Sequence, residues 1–531
     1  MSKMPGLSTS VRSEQVPLLR SQSRPDGGSL RAQGFPWIGT RFPPATLLIP
    51  IAIATRLSGQ LPSTTLLQIL QRLVCRLWYE LNDPESLPVN GRIPDALCAN
   101  SAIEQNYAAA ITVLEIVEGT GSMVGCSAAS LFASRYGRRP TLLAVFSLAI
   151  AGYALLIASI FVPARTEAAV LTVSVILQSL SSSLVTIFIV NTYVVDVVSV
   201  GERTAALSAI SGWCALGGAL SYTLGGLITT RSDEPILVYI VAAAMLAVSC
   251  LYVFTVLPES FPEEKRDELR RQRLAQSAAS SSHPHRYMVS LALIFEPLKQ
   301  LIPGWKPDGG RSWRLAYCAV HVLITQIGSR YAPVAIVLYY TAKYAYTPAQ
   351  TGYILTTLFL SSMFTLTIVI PSLVRYIQPY YIQSRSTTFS SEEPNDDTDS
   401  KTPETSEHLE LHITSASWVI AALAVIFAGA ATTLPWQLFA AVCVGLSTAH
   451  TPVFRSVVAA SVAPLKQGEA LAAVEMVSSV GAVLSPLIMG TVLTATITTF
   501  PQLVFYVHAV RACSMFSAHC VPLNLLPTYE C

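Results

Sequence analysis

Residues 130–140 read Ser-Leu-Phe-Ala-Ser-Arg-Tyr-Gly-Arg-Arg-Pro, and this basic turn indicates the fold class of the chain. It separates two long apolar segments, 108–132 and 141–162. Each segment can cross a bilayer as one helix, because about 20 apolar residues span roughly 30 Å of hydrocarbon. A short basic loop between two spans is retained on the cytoplasmic side. The turn therefore predicts both a membrane protein and its orientation.

The composition agrees with a polytopic membrane protein. Of 531 residues, 52% are hydrophobic and 12% are charged, whereas soluble proteins carry about 25% charged residues. The formal net charge of +2 gives no reason to expect a nucleic-acid partner. The sequence shows no metal-ligand spacing, nucleophile motif or phosphate-binding loop. We therefore expect no enzyme activity, no cofactor, no bound metal and no ATP-driven pump.

Twelve apolar segments predict an all-α membrane protein with twelve transmembrane helices in two six-helix halves. The predicted spans are 43–74, 107–132, 141–162, 168–194, 204–229, 235–257, 315–341, 350–374, 414–433, 436–460, 469–495 and 500–523. The first span is irregular, because it contains several prolines.

These spans define the expected domains. Residues 1–42 form a disordered cytoplasmic tail, 43–257 the N-terminal half, 258–314 a cytoplasmic linker, and 315–531 the C-terminal half. A polar stretch at 378–412 within the second half is predicted to be disordered. Lys and Arg are concentrated in the tail and in the even-numbered loops, so both termini are predicted to face the cytoplasm.

A weak internal repeat relates the two halves. Gly201-Glu202 leads into the fifth span, and Gly468-Glu469 leads into the eleventh. Repeated halves are typical of secondary transporters, which bind their substrate between the halves near the middle of the membrane.

The basic turn resembles the signature between the second and third helices of the major facilitator superfamily. That signature reads Gly, three residues, Asp, Arg, one residue, Gly, Arg, Arg or Lys. The residues that match it are Arg135, Gly137, Arg138 and Arg139. Ser130 stands in place of the first glycine, and Ser134 in place of the aspartate. In the family that aspartate helps to latch cytoplasmic helix ends across the two halves. The resemblance therefore implies the major facilitator fold, with a weakened cytoplasmic gate.

Two further segments support the resemblance. Residues 195–203 look like the acidic-and-arginine loop after the family's fourth helix, and 258–260 are similar to fungal members. The resemblance implies a secondary active transporter of a small organic solute that works by alternating access. The fifth span lacks the proline of the family's antiporter motif, so proton coupling is a hypothesis. The expected partners are a small-molecule substrate, protons and the lipid bilayer, and the expected oligomeric state is a monomer.

The alternative is a non-transporting, receptor-like or degenerate member of the same fold. Ser130 and Ser134 favour this interpretation modestly, as does the last predicted span, which is unusually polar for a terminal helix.

Ionisable residues within the spans are candidates for transport, because burying a charge in a membrane costs about 2.5–3.5 kcal/mol on insertion scales. Glu115 and Glu118 share one face of the second span, and either could pair with Arg56. A titrating carboxylate that couples transport to protons and a structural ion pair are both open interpretations. Gln178 on the fourth span is a candidate neutral contact with the substrate.

In the second half, Gln326 and Arg330 share a face of the seventh span. Arg330 is predicted either to contact an anionic substrate or to pair with a structural partner. Arg455 is expected to act as a helix-end anchor, and Glu475 could pair with it.

Two features bear on location. Cys75 and Cys98 flank a loop predicted to lie outside the cytoplasm, where disulfides persist, so a bond between them is a hypothesis. Residues 14–19 of the tail match an acidic dileucine sorting signal. The predicted location is therefore the vacuolar or the plasma membrane.

Overall fold

The computed structural model describes residues 45–82, 101–159, 161–162, 164–231, 236–279, 295–305, 311–344, 346, 348–377, 402–496 and 499–525. The predicted tail at 1–42 lies outside these residues, as do Cys98 and the dileucine motif. Within them the chain is a bundle of helices.

Among the described residues, the first half contains eight helices. They are α1 (Ile49–Gln60), α2 (Ser63–Asn82), α3 (Ser101–Tyr136), α4 (Arg138–Ser159), α5 (Ala164–Leu180), α6 (Ser183–Val197), α7 (Arg203–Arg231) and α8 (Ile236–Thr255). Helix α1 packs against α7 and α8, whereas α2 packs against α3 and α5.

Further helices lie in the described part of the linker and the second half. They are α9 (Glu263–Ala279), α10 (Arg314–Ser329), α11 (Ala332–Tyr344), α12 (Pro348–Phe364), α13 (Thr402–Ala430), α14 (Leu434–Leu446), α15 (His450–Ala460), α16 (Gln467–Ser485), α17 (Thr491–Thr496) and α18 (Leu503–Leu525). Turns of π-helix at Thr365–Val369 and Pro486–Gly490 extend α12 and α16. The two halves meet where α3 packs on α16 and where α7 packs on α12.

Ten of the twelve predicted spans are confirmed as helices long and apolar enough to cross a membrane, within the residues that the structure describes. They correspond to the second through eleventh predictions. The first predicted span is divided at Leu61 and Pro62 into α1 and α2. The last one is helical, but its apolar part is the short segment Leu503–Ser514. A count of twelve therefore stays a prediction.

Four spans are interrupted at regular intervals. The breaks lie at residues 61–62, 181–182, 330–331 and 447–449, in the first, fourth, seventh and tenth predicted spans. Interrupted helices in equivalent positions of repeated units are typical of transporters, because a break exposes backbone polar groups to a cavity. The spacing of three spans indicates a three-helix repeat within each half.

The linker contains ordered structure. Its charged segment forms α9, and Gly304–Trp305 pairs antiparallel with Arg311–Ser312. A 3-10 helix, Glu296–Leu301, packs on α16, where Nε2 of Gln300 donates to Oε2 of Glu469 over 2.8 Å.

The disorder predicted for 378–412 does not extend to its end. Residues 402–412 form the first turns of α13, and 378–401 lie outside the described residues. The helix begins with Pro403 in its first turn, a position that favours helix initiation. Leu409 and Ile413, four residues apart, are buried against α12 and α15.

Candidate functional site

The basic turn is closed by a carboxylate from the linker. The backbone N–H groups of Arg138 and Arg139 donate to Oε1 and Oε2 of Glu259, over 2.7 and 3.1 Å. Gly137 adopts a φ of 104°, which favours glycine. A Cβ at that position would lie 2.6 Å from Oε2 of Glu259. Glu259 therefore caps the start of α4, where a negative charge is stabilising.

Arg138 connects several elements at this end of the bundle. Its Nε lies 2.9 Å from Oδ2 of Asp196, and both side chains are at most 10% exposed. The guanidinium also stacks on Phe261, 4.9 Å from the ring centroid. A Cβ at Gly468, next to the start of α16, would lie 2.8 Å from Nη2 of Arg138. Arg138 thus reaches the boundary between the two halves.

The other residues of the basic turn make contacts within the first half. Ser134 donates to the carbonyl of Leu131 in its own helix, over 2.9 Å. Arg135 lies over the ring of Tyr136, and Arg139 donates to the carbonyl of Phe254. The predicted weakening of the gate at Ser134 stays a prediction.

A buried carboxylate, which the sequence analysis missed, joins the halves at the same end. Oε1 of Glu410 in α13 accepts hydrogen bonds from Thr204 in α7 and from Ser456 in α15, the latter over 3.0 Å. The Thr204 and Ser456 hydroxyls also lie 3.0 Å apart. Glu410 is only 4% exposed. We call these three residues the Glu410 latch. In the sequence, only the apolar spacing around Glu410 indicates that this residue lies in a helix.

Glu118 and Arg330 form an ion pair between the two halves. Nη2 of Arg330 lies 3.4 Å from Oε1 of Glu118, and the side chains are 42% and 45% exposed. Both residues are near the middle of their spans. The pair therefore lines an open surface between α3 and α10. The position of Glu118 made Arg56 a candidate partner for it. In the structure Glu118 pairs with Arg330 instead.

Arg330 lies at the break in the seventh span. Helix α10 ends at Ser329, and α11 begins at Ala332. The Ser485 hydroxyl accepts from the N–H of Tyr331 over 3.1 Å and donates to the carbonyl of Ile327 over 2.6 Å. These bonds satisfy backbone groups that the break releases from the helix.

Arg56 lies close to the Glu118–Arg330 pair but forms no ion pair with either residue. It is half-buried and has Arg330, Tyr222 and Glu118 within electrostatic range. Gly217 permits a close approach here, because a Cβ at that position would lie 3.1 Å from Cβ of Arg56. Arg56 makes neither an ion pair nor a side-chain hydrogen bond with any residue that the structure describes. Glu115 is also half-buried, within range of Glu118 and Arg330.

The two glutamine candidates have different surroundings. Gln178 packs against Gly152 of α4 and donates to Ser174 over 3.2 Å, so it belongs to a helix contact within the first half. Gln326 lines a small cleft between α10, α15 and α16. The structure therefore groups Glu115, Glu118 and Arg330 in one cluster, with Arg56 and Tyr222, and leaves Gln178 outside it.

Arg455 and Glu475 form a buried ion pair. Nη2 and Nε of Arg455 lie 2.6 and 2.7 Å from Oε1 of Glu475, and the side chains are 14% and 4% exposed. The pairing considered for Glu475 is therefore confirmed. Both residues lie within electrostatic range of Cys126 in the first half, which places the pair near the boundary between the halves.

Cys75 is disulfide-bonded. Its predicted partner, Cys98, lies outside the described residues, so the pairing stays a prediction. Cys126, Cys214, Cys250 and Cys443 are free thiols.

Comparisons with known proteins agree with this geometry. The profile of the Major Facilitator Superfamily matches residues 100–388. The chain is 36% identical over 401 residues to the Major facilitator-type transporter psiT1 of Psilocybe cyanescens, covering 73% of this chain and 85% of that protein.

Solved structures share the fold. The human organic anion transporter MFSD10 superposes with a TM-score of 0.62 at 16% identity, over 90% of this chain and all of that one. The Escherichia coli fucose:proton symporter FucP superposes with a TM-score of 0.53 at 12% identity, over 90% and 98% of the two chains. With its helical bundle, repeated breaks and basic turn, this chain belongs to the major facilitator superfamily.

Proposed function

We propose that this protein is a secondary active transporter of a small organic solute that carries an anionic group, with Arg56 as the residue that binds the anion. The observation that carries the proposal is the state of Arg56, a half-buried guanidinium in α1, within the first predicted span, which makes no ion pair with the described residues. A cation in such a place is expensive and is retained where it has a function or an exchangeable partner.

The charges around Arg56 support an anionic ligand. Arg330 is neutralised by Glu118, so it adds little net charge to the cluster. Arg56 is left as the cation available to a carboxylate, phosphate or sulfonate group, which guanidinium binds through paired N–H donors. Tyr222 stacks on Phe359 with 5.6 Å between ring centroids, and it places a hydroxyl and an aromatic face beside Arg56.

The Glu118–Arg330 pair supports alternating access. It joins the two halves near the middle of the membrane, so a rearrangement that separates α3 from α10 must break it. An anion on Arg56 would also attract Arg330 and compete with Glu118. We propose that substrate binding weakens this pair and thereby lowers the barrier to the switch.

Proton coupling is proposed for Glu115. Glu115 lies one helical turn from Glu118 on the same helix and within electrostatic range of Arg330. A proton on Glu115 would offset the charge that the solute brings. FucP is a fucose:proton symporter and MFSD10 an organic anion transporter, and each shares only the fold with this chain.

The test is transport in liposomes that contain the purified protein. Radiolabelled organic anions are screened with and without an imposed pH gradient, against neutral and cationic solutes of similar size. We expect uptake of an anion that increases with an inward proton gradient. Replacing Arg56 by Gln should weaken binding by about 10–100-fold, because hydrogen bonds to a charged group are worth about 1.5–3 kcal/mol.

The matched control is Arg375→Gln, which removes an exposed arginine near the end of the eighth span. It should transport normally. Uptake restricted to neutral or cationic solutes, or anion uptake that survives Arg56→Gln, would contradict the assignment of Arg56. Absence of flux for every solute class would favour the non-transporting alternative.

A further inference from the structure

A small cleft in the second half contains polar atoms that the proposed function does not use. It lies between α10, α15 and α16, and it is lined by residues that include His321, Thr325, Gln326, His450, Glu475 and Ser478. The cleft has room for one functional group rather than a whole solute. We call it the Glu475 cleft.

Three buried oxygens in this cleft lack a hydrogen-bond partner among the described residues. They are Oγ1 of Thr325, Oε2 of Glu475 and Oγ of Ser478. The three residues are 4%, 3% and 1% exposed. An unsatisfied buried polar group destabilises the fold, so three together require an explanation. They come from two helices and line the same space.

The other polar groups around the cleft are held in place. Oε1 of Glu475 is bound by Arg455. Nδ1 of His450 lies 2.9 Å from the carbonyl of Ser447, and its ring packs on Trp418 with 4.2 Å between centroids. The His321 ring stacks on Phe454 with 4.3 Å between centroids. These three side chains are therefore engaged with other residues, whereas the three oxygens line the cleft without a partner among the described residues.

The charges select the kind of group that fits. A cation would lie beside Arg455, and it would give the neutral Arg455–Glu475 pair a net positive charge inside the membrane. An anion would face Oε2 of Glu475. A neutral hydroxyl or N–H group avoids both penalties: it can donate to the carboxylate oxygen and exchange hydrogen bonds with the two hydroxyls.

We propose that the Glu475 cleft binds a neutral hydrogen-bond donor, a hydroxyl or an N–H group, of the transported solute. This inference rests on the proposed function, because it assigns the second end of a solute whose anionic end binds Arg56. Cys214 of α7 lies within electrostatic range of both Arg56 and Arg455, so both sites lie near this residue. The solute is thus bifunctional, with an anion at one end and a neutral donor at the other.

The probes for this idea are straight-chain carboxylates of increasing length and their ω-hydroxy counterparts. Binding to the purified full-length protein is measured by isothermal titration calorimetry. At one chain length, the ω-hydroxy acid should bind about tenfold more tightly than the parent acid, because one added hydrogen bond to a carboxylate is worth about 1.5 kcal/mol or more.

The variants Thr325→Val and Ser478→Ala, alone and combined, test the cleft. Each should reduce the advantage of the ω-hydroxy acid and leave the affinity of the parent acid unchanged. Ser249→Ala removes a buried hydroxyl that already donates to the carbonyl of Met245, far from the cleft, and should change neither affinity. The thermal stability of the ligand-free variants gives a second readout. Removing an unsatisfied hydroxyl should leave the melting temperature equal or higher, whereas removing a structural one should lower it.

The outcomes separate the two proposals. If the carboxylates bind through Arg56 but no ω-hydroxy acid binds more tightly, the cleft assignment is wrong and the proposed function stands. If the advantage persists in the double variant, the cleft is not its source. If no carboxylate binds, both proposals fail.

Discussion

Glu410 of the second half accepts a hydrogen bond from Thr204 of the first half, at the end of the bundle that holds the basic turn. In this chain Ser134 replaces the aspartate of the family signature, and its hydroxyl bonds within its own helix. The Glu410 latch therefore supplies a carboxylate between the halves from the second half, whereas the aspartate of the signature would belong to the first half. The contact is buried, which strengthens the hydrogen bonds of a charged acceptor.

Removal of this carboxylate should open the gate. We expect Glu410→Ala to increase the maleimide labelling rate of Cys126 and Cys214 by at least about tenfold, because the lost hydrogen bonds are worth more than 1.4 kcal/mol together. Both cysteines are free and buried near the boundary between the halves. The control is Glu202→Ala at an exposed position. Equal labelling in Glu410→Ala and the unmodified protein would show that the latch does not hold the gate.

Restoring the family aspartate should compensate for loss of the latch. Ser134→Asp alone should slow labelling of the same cysteines, and combined with Glu410→Ala it should return labelling toward the original rate. A coupling between two positions that act on one equilibrium is measured by such a double-mutant cycle. Strictly additive effects would mean that the two carboxylates act on separate equilibria. If Ser134→Asp does not change the labelling rate, the basic turn sets the topology of the chain and does not act as a gate.

The Glu118–Arg330 pair should matter more for transport than for stability. Both side chains are 42–45% exposed, and an exposed ion pair contributes at most about 1 kcal/mol to stability. We expect Glu118→Gln and Arg330→Gln each to slow transport severalfold with little change in melting temperature. The exchanged double variant, Glu118→Arg with Arg330→Glu, should recover part of the rate. If the exchanged double variant recovers no transport, the two residues act individually rather than as a pair.

Gly137 should be intolerant of a side chain. Its φ of 104° is unfavourable for other residues, and an added Cβ would displace the Glu259 carboxylate from the start of α4. We expect Gly137→Ala to lower the free energy of unfolding by about 1–2 kcal/mol or more, as measured by thermal denaturation in detergent. Gly352→Ala is a matched control, since a Cβ there meets nothing within 4 Å and alanine favours the helix. An unchanged melting temperature for Gly137→Ala would argue against the cap.

The predicted Cys75–Cys98 bond can be tested by mass spectrometry. The native protein should resist alkylation at both positions and accept two labels there after reduction. Cys75→Ser should lower stability by about 2–4 kcal/mol, as is typical for a natural disulfide. Cys443→Ser, at a free cysteine, serves as the control. Detection of a free thiol at Cys98 in the native protein would contradict this pairing.

Most spans could be predicted from sequence because they depend on local composition. An apolar run of membrane length forms a helix wherever it lies, since the bilayer leaves backbone groups no other partner. The first and last spans were harder to predict from sequence. Pro62 interrupts the first span, and polar side chains such as Arg511 interrupt the apolar pattern of the last one. Nη1 of Arg511 donates to carbonyls of α10, contacts that only the packed bundle provides.

The candidate site was only partly predictable for the same reason. The spacing of Glu115 and Glu118 identified one acidic face, but it left the partner open. Arg330 is 212 residues from Glu118, and Glu410 is 206 from Thr204. Sequence periodicity carries no information over such distances.

The amino-acid sequence alone determined that this chain is a helical membrane protein of the major facilitator type, and that a basic turn marks one end of it. These properties follow from apolar length, charge placement and a short local signature. Only the tertiary structure decided that Arg330 pairs with Glu118, that Glu410 joins the halves and that Arg56 makes no ion pair with the described residues. Ion pairing depends on which helices pack together, and that is decided by contacts between distant segments.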